Sequence, residues 1–175
     1  MSSSRHDLLR RQSELAWALF EYHLERLTAD DFLWEPAGLC WTLRQDATGT
    51  WVPDWADTEP DPVPVPTAGW VSWHLGWWLG ATTDQVRGRT PRARTDVVWP
   101  GPDDAVAWLR ALGEDWRGGL EQLTEADLDG PAGPLPWQDD PERTLADTLA
   151  WATAELMKNV AEIGQLRLLR TASRH

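Results

Sequence analysis

The chain has 175 residues, 42% of them hydrophobic and 25% charged, a balance that predicts one globular domain over residues 1–175. Its formal net charge of −12, with no Lys/Arg-rich run, repels a phosphate backbone and excludes nucleic acid as a partner. No apolar stretch reaches the ~20 residues that cross a bilayer, Met1 to Arg11 lack a secretion signal's apolar segment, and Cys40 is the only cysteine; the expectation is a cytoplasmic protein with no disulfide, no thiolate metal cluster and no membrane partner.

Residues 5–27 carry apolar positions at helical spacing: Leu8, Leu15 and Leu19 beside Leu9, Ala16, Phe20 and Leu27, with Glu14, Glu21 and Glu25 opposite. This predicts the first long helix, with His23 on its apolar side, where a histidine is ordinarily a core residue. Thr28 caps a short acidic unit, T-A-D-D-F-L-W, which Pro36 ends. From Cys40 to Pro66 the helical period disappears. CWTLRQ and TWV flank D-A-T-G, the pattern of a small hairpin or an irregular Trp-lined loop, and E-P-D-P-V-P-V-P must be extended. Cys40, beside Trp41, reads as a small core residue rather than a nucleophile.

The second long helix opens after Pro66 with Thr67 as its cap and runs through GWVSWHLGWWLGATTDQV to about Arg87, where Gly88 stops it. The third starts at Pro102, with Asp103 and Asp104 at its positive end, and continues to about Leu123. T-E-A-D-L-D-G then repeats the acidic unit seen after the first helix. The fourth runs from Thr144 to about Thr171, a length of roughly 40 Å. Four long helices and almost no strand pattern predict an all-α four-helix bundle, with a long Trp/Pro-rich crossover between helices one and two.

The fourth helix carries the most informative polar pattern. At ~100° per residue, Thr148, Trp151, Glu155, Asn159, Glu162, Leu166 and Leu169 share one stripe, beside the apolar arc of Leu145, Leu149, Ala152, Leu156, Val160 and Ile163. Lys158, the only lysine, lies three residues after Glu155 and four before Glu162, spacings at which helix side chains touch. The stripe is either a solvated edge with ordinary ion pairs or a polar cluster lining a cleft; Trp151, Leu166 and Leu169 on its azimuth favour the cleft. On the second helix His74 lies in the arc of Trp70, Val71, Trp77, Trp78 and Ala81, so its imidazole faces an aromatic wall, as a satisfied core residue or as a ligand. His6 and His175 are terminal and are assigned no role.

Three blocks in order, L-x-x-L-T-x-x-D-F-x-W-x-P from Leu24 to Pro36, W-H-L-G-W from Trp73 to Trp77, and A-E-I-G-Q-L-R-L-L from Ala161 to Leu169, resemble the DinB/YfiT-like metalloenzyme family. The resemblance implies an up-down-down-up bundle holding a divalent metal (Zn, Ni or Mn) by a histidine of the second helix and an H-x-x-x-H pair of the last, just before G-Q. His74 stands at the first of these positions, and Lys158 and Glu162 at the other two. Glutamate can ligate a dication, so His74 and Glu162 remain the candidate metal ligands, whereas a protonated lysine cannot ligate. An ammonium bridging Glu155 and Glu162 would instead stand in for the metal's charge.

Two functions follow from the resemblance. One is a degenerate, metal-free relative that binds a small molecule in a Trp-lined cavity formed by His74, Trp70, Trp77, Trp78, Glu155, Lys158, Asn159 and Glu162. The other is a metal-dependent enzyme, a thiol-dependent S-transferase or hydrolase-like, using His74 and Glu162 with a low-molecular-weight thiol as partner. The substitution at Lys158 favours the first. A homodimer is the expected assembly, and a purely structural dimerisation module is the third alternative.

Overall fold

The computed structural model describes residues 4–133, 135–137 and 140–174. Helix dominates it: α1 spans Arg5–Leu24, α2 Ala29–Phe32, α3 Ala68–Val86, α4 Ala105–Gln122 and α5 Leu145–Ser173. The starts of these helices follow from short hydroxyl side chains that satisfy orphan N–H groups. Ser4 accepts from the Asp7 N–H and Thr67 from the Trp70 N–H, while Thr28 with Asp31 and Thr144 with Asp147 form capping boxes. Gly88, at φ +66°, ends α3 in the left-handed conformation that an L side chain resists.

The third long helix begins later than its sequence suggests. Gly101 and Pro102 lead a turn, and the first backbone bond that closes an α-turn runs from the Trp108 N–H to the Asp104 carbonyl. Asp104 is therefore the cap, and Pro102 lies outside α4.

Between α2 and α3 the chain forms the hairpin, the first of the two predicted alternatives. β2, Leu43–Gln45, pairs antiparallel with β3, Trp51–Pro53, in the register Leu43–Pro53, Arg44–Val52 and Gln45–Trp51. The Asp46 carboxylate accepts from the Thr48 and Thr50 N–H groups and fixes the turn. The extended proline run ends in β4, Val65–Pro66, which lies parallel to β1, Cys40–Trp41. Cys40 is half-buried at this edge and its thiol donates to the Ala37 carbonyl at 3.0 Å.

The core lies where α1 and α3 each meet α4 and α5. Phe20, Phe32, Leu75, Leu79, Leu156 and Ile163 are wholly buried in it, each contributing roughly 1.5–3 kcal/mol of apolar burial. One sequence expectation holds only in part. Ala16, Phe20 and Leu27 of the predicted apolar set are buried, but Leu8, Leu15 and Leu19 are 50%, 59% and 44% exposed, and the packing face of α1 is rotated toward Ser13, Trp17 and Leu24. The rotation follows from the indoles: Trp17 lies so close over Gly113 of α4 that a Cβ there would fall 2.0 Å from its ring, and Ser13 accepts from the Trp116 indole N–H at 2.8 Å. Trp108 of α4 sits in the same way on Gly76 of α3.

His6 has a structural role that its terminal position hides, since its Nε2 hydrogen-bonds the Leu120 carbonyl at 2.8 Å and ties the start of α1 to the end of α4. His175 lies outside the described residues. His23 is half-buried, with its ring against Gly164 of α5 and its Nδ1 unpartnered; burial, then the charges of Arg167 and Arg26, lower its pKa. Two buried carboxylates anchor segments at long range. Asp31 takes Arg170 at 2.6 Å, and Asp84 takes Arg92 at 2.7 Å and Arg89 at 2.9 Å. The Asp84 pairs hold the chain leaving α3 against that helix.

Candidate functional site

A run of four indoles and an imidazole along one helix cannot all face one way, and α3 distributes them. Trp70 is buried, donates its indole N–H to the Asp54 carbonyl at 2.7 Å, and stacks on Trp41 with ring centroids 4.9 Å apart. One turn later the His74 ring lies parallel to Trp70 at 5.1 Å, and Trp77 meets it edge-on at 5.8 Å. Trp55, from the strand-rich connection, closes the group by touching Trp70, Trp73 and Trp77. Of the predicted aromatic wall, Trp70 and Trp77 touch His74, Trp41 and Trp55 pack behind them from outside the helix, and Trp78 faces Asn159 and Trp151 instead.

The imidazole is half-buried, and among the described residues no side chain hydrogen-bonds it. Burial is the main cause that lowers its pKa to about 4, the Lys158 charge lowers it further, and Glu155 opposes both. His74 is thus a neutral imidazole at pH 7.

On α5 the polar stripe divides into two pairs. Lys158 Nζ lies 2.5 Å from Glu155 Oε1, its side chain half-exposed and that of Glu155 about one-fifth exposed (51% and 20%). Asn159, wholly buried, accepts from the Trp78 indole N–H at 3.0 Å and donates to Glu162 Oε2 at 2.8 Å. Trp151 packs edge-on against Trp78 at 5.3 Å. Lys158 therefore does not bridge Glu155 and Glu162. Its flexible stem carries the ammonium toward water, and the oxygen of Glu162 that faces the helix is taken by an amide. Of the stripe's apolar ends, Leu166 is buried and Leu169 is 46% exposed.

The divalent metal that the resemblance implies would meet an unfavourable donor set here. At the three ligand positions stand a neutral imidazole, an ammonium and a carboxylate already oriented by Asn159. The ammonium offers no lone pair and adds repulsion where a dication would sit. Among the described residues no three His, Cys, Asp or Glu side chains are grouped to hold a metal. The residues at these positions do not fit a divalent ion.

Sequence reasoning missed Trp41, Trp55 and Trp73 as members of the aromatic group and Arg94, whose guanidinium lies 4.2 Å over Trp55. The W-H-L-G-W block displays Trp73, but no periodicity relates α3 to the loop at residue 55 or to the 3₁₀ turn Arg94–Asp96.

Compared with known families, residues 12–163 match the sequence profile of the DinB superfamily. No curated protein and no solved structure matches the chain. No helix among the described residues is long and apolar enough to cross a membrane.

Proposed function

For a chain that belongs to the DinB superfamily, we propose a metal-independent role: binding of a small molecule at the face where α3 and α5 present His74, Trp77, Glu155 and Lys158. The observation that carries this reading is the Lys158–Glu155 pair at 2.5 Å, whose cation already lowers the pKa of His74. A positive charge of the chain's own supplies the electrostatic role that a metal plays elsewhere in the family. The aromatic rings give an apolar bed, the neutral imidazole a hydrogen-bonding group, and Lys158 and Glu155 a charged rim.

We read the four long helices as an up-down-down-up bundle with a crossover between α1 and α3. Contacts that support it run in opposite order along α1 and α4 (Arg5 with Glu125, Trp17 with Gly113, Glu21 with Arg110) and in the same order along α3 and α4 (Gly76 with Trp108, Val86 with Gly119). The exposed row Leu8, Leu15, Leu19 and Tyr22 supports a homodimer joined through α1. The net charge supports a role without nucleic acid, and the lone cysteine a cytoplasmic location.

A second reading, a metal-dependent S-transferase or hydrolase-like enzyme, is favoured by one feature: His74 is neutral, the protonation state that ligates, and Glu162 is held by Asn159. Elemental analysis after incubation with Zn²⁺, Ni²⁺ or Mn²⁺ and desalting separates the two. The metal-independent reading expects well under one equivalent in the native chain and a gain in Lys158→His. Stoichiometric metal that is lost in His74→Ala would replace it with the enzyme reading.

A further inference from the structure

Beside Trp73 of the aromatic group, a cavity of about 240 Å³ lies between the β2–β3 hairpin and the segment that follows α3. Trp51, Val52 and Pro53 line it from the hairpin, Arg94 and Val97 from the segment, and Trp73 from α3. Two features set it apart from an accidental gap. The first is Trp73, which is 1% exposed and whose indole N–H has no acceptor. The indoles of Trp70, Trp78, Trp99 and Trp116 all donate to a named oxygen, whereas Trp73 and, outside this cavity, Trp137 are buried indoles without an acceptor; of the two, Trp73 is the one in the cavity wall.

The second is Arg94. Its guanidinium is half-buried over Trp55, and among the described residues no carboxylate pairs with it. No acidic side chain lines the cavity, so the local charge is positive in a chain whose net charge is −12. The pairs of Arg89 and Arg92 with Asp84 fix the segment immediately before it, and they hold Arg94 at this position rather than leaving it on a free loop.

We propose that this cavity binds a small monocarboxylate with an apolar body. The carboxylate accepts from the Arg94 fork and the Trp73 indole N–H, and the body packs on Trp51, Val52 and Val97. One cation and one neutral donor match a single negative charge; a phosphate dianion would need more positive charge than the lining holds. The site is independent of the face at His74 and stands whether or not that face binds anything.

The test uses the full chain, ¹⁵N-labelled, titrated with phenylacetate and with its neutral isostere phenylacetamide. Phenylacetate should move the Trp73 indole resonance saturably, and phenylacetamide should bind at least about tenfold more weakly, since it loses the charge-assisted bonds. Arg94→Gln should weaken phenylacetate by about tenfold or more, with Arg94→Lys recovering part of the loss. The proposal is overturned if phenylacetate gives no saturable shift at millimolar concentration, or if the amide binds equally well. It is also overturned if Lys158→Met weakens binding while Arg94→Gln does not, an outcome that would place the ligand on the His74 face instead.

Discussion

Two cation–carboxylate pairs tie α5 to acidic residues, and they differ in everything but chemistry. Lys158 and Glu155 lie one turn apart on the same helix, with the ammonium half in water. Arg170 and Asp31 are 139 residues apart, and both side chains are about nine-tenths buried. The Arg170 fork also reaches Asp30 at 3.1 Å, while Asp31 accepts from the backbone and hydroxyl of Thr28 at 2.7 and 2.8 Å. A same-helix pair in water organises nothing beyond its own turn. A buried pair across the fold fixes where α2 docks on the last helix, and it cannot be half broken without stranding a charge.

Removing Arg170 is therefore the sharpest way to test the contrast. Arg170→Met leaves the Asp31 carboxylate buried without its cation and should cost about 3 kcal/mol in urea unfolding, part of it restored by adding Asp31→Asn. Burial by itself would raise the Asp31 pKa, but the Thr28 and Arg170 bonds outweigh it and hold it below the usual range. A depressed carboxylate stabilises the fold above its unfolded pKa of about 3.9 and loses that contribution as pH falls further, so the wild-type advantage over the variant should shrink below about pH 4.

An intermediate effect is expected from His74, whose pKa is lowered to about 4. The unfolded imidazole, at about 6.5, takes a proton first, so the unfolded state gains as the medium acidifies. Stability contributed by this residue is complete above about pH 6.5 and falls towards pH 4. NMR titration of the His74 ring should show a midpoint near 4, and His74→Phe should flatten that limb of the pH–stability curve. A midpoint near 6.5 would mean the ring is more hydrated than its stacking on Trp70 requires.

The smallest effect belongs to Lys158. Because its ammonium is half-exposed, Lys158→Met should change the unfolding free energy by less than ~1 kcal/mol while raising the His74 midpoint, since a nearby positive charge is removed. A loss as large as that of Arg170→Met would erase the distinction between the two pairs.

The contrast also explains what could be read in the sequence. The helices were legible because caps such as Thr67 and Thr144 and the 3.6-residue period are local signals, and the Lys158–Glu155 pair was legible because its spacing is local too. The Asp31–Arg170 pair was not, although Asp31 lies within a recognised block, because nothing along the chain relates residue 31 to residue 170. The facing of α1 is legible only in part for a related reason: Ala16 and Phe20 pack where the period places them, but Leu8, Leu15 and Leu19 are exposed, because which side packs is decided by Trp17 against Gly113, a contact made with another helix. At the candidate site His74, Trp70 and Trp77 were legible from one helix, whereas Trp55 comes from a loop and Arg94 from a single 3₁₀ turn, Arg94–Asp96, both too short to carry a period.

The glycines beneath the indoles impose a constraint of a different kind. Trp108 occupies the space above Gly76 and Trp17 the space above Gly113, each leaving no room for a methyl group. Neither partner can drift alone: an alanine under an intact indole collides with it, and a smaller ring over an intact glycine leaves a void. Such couples are epistatic, passing from one viable state to another only when both members change together. A chain that contains several of them is held to its tryptophans by its glycines, so the 14 tryptophans among its 175 residues need not each have a task at a binding site.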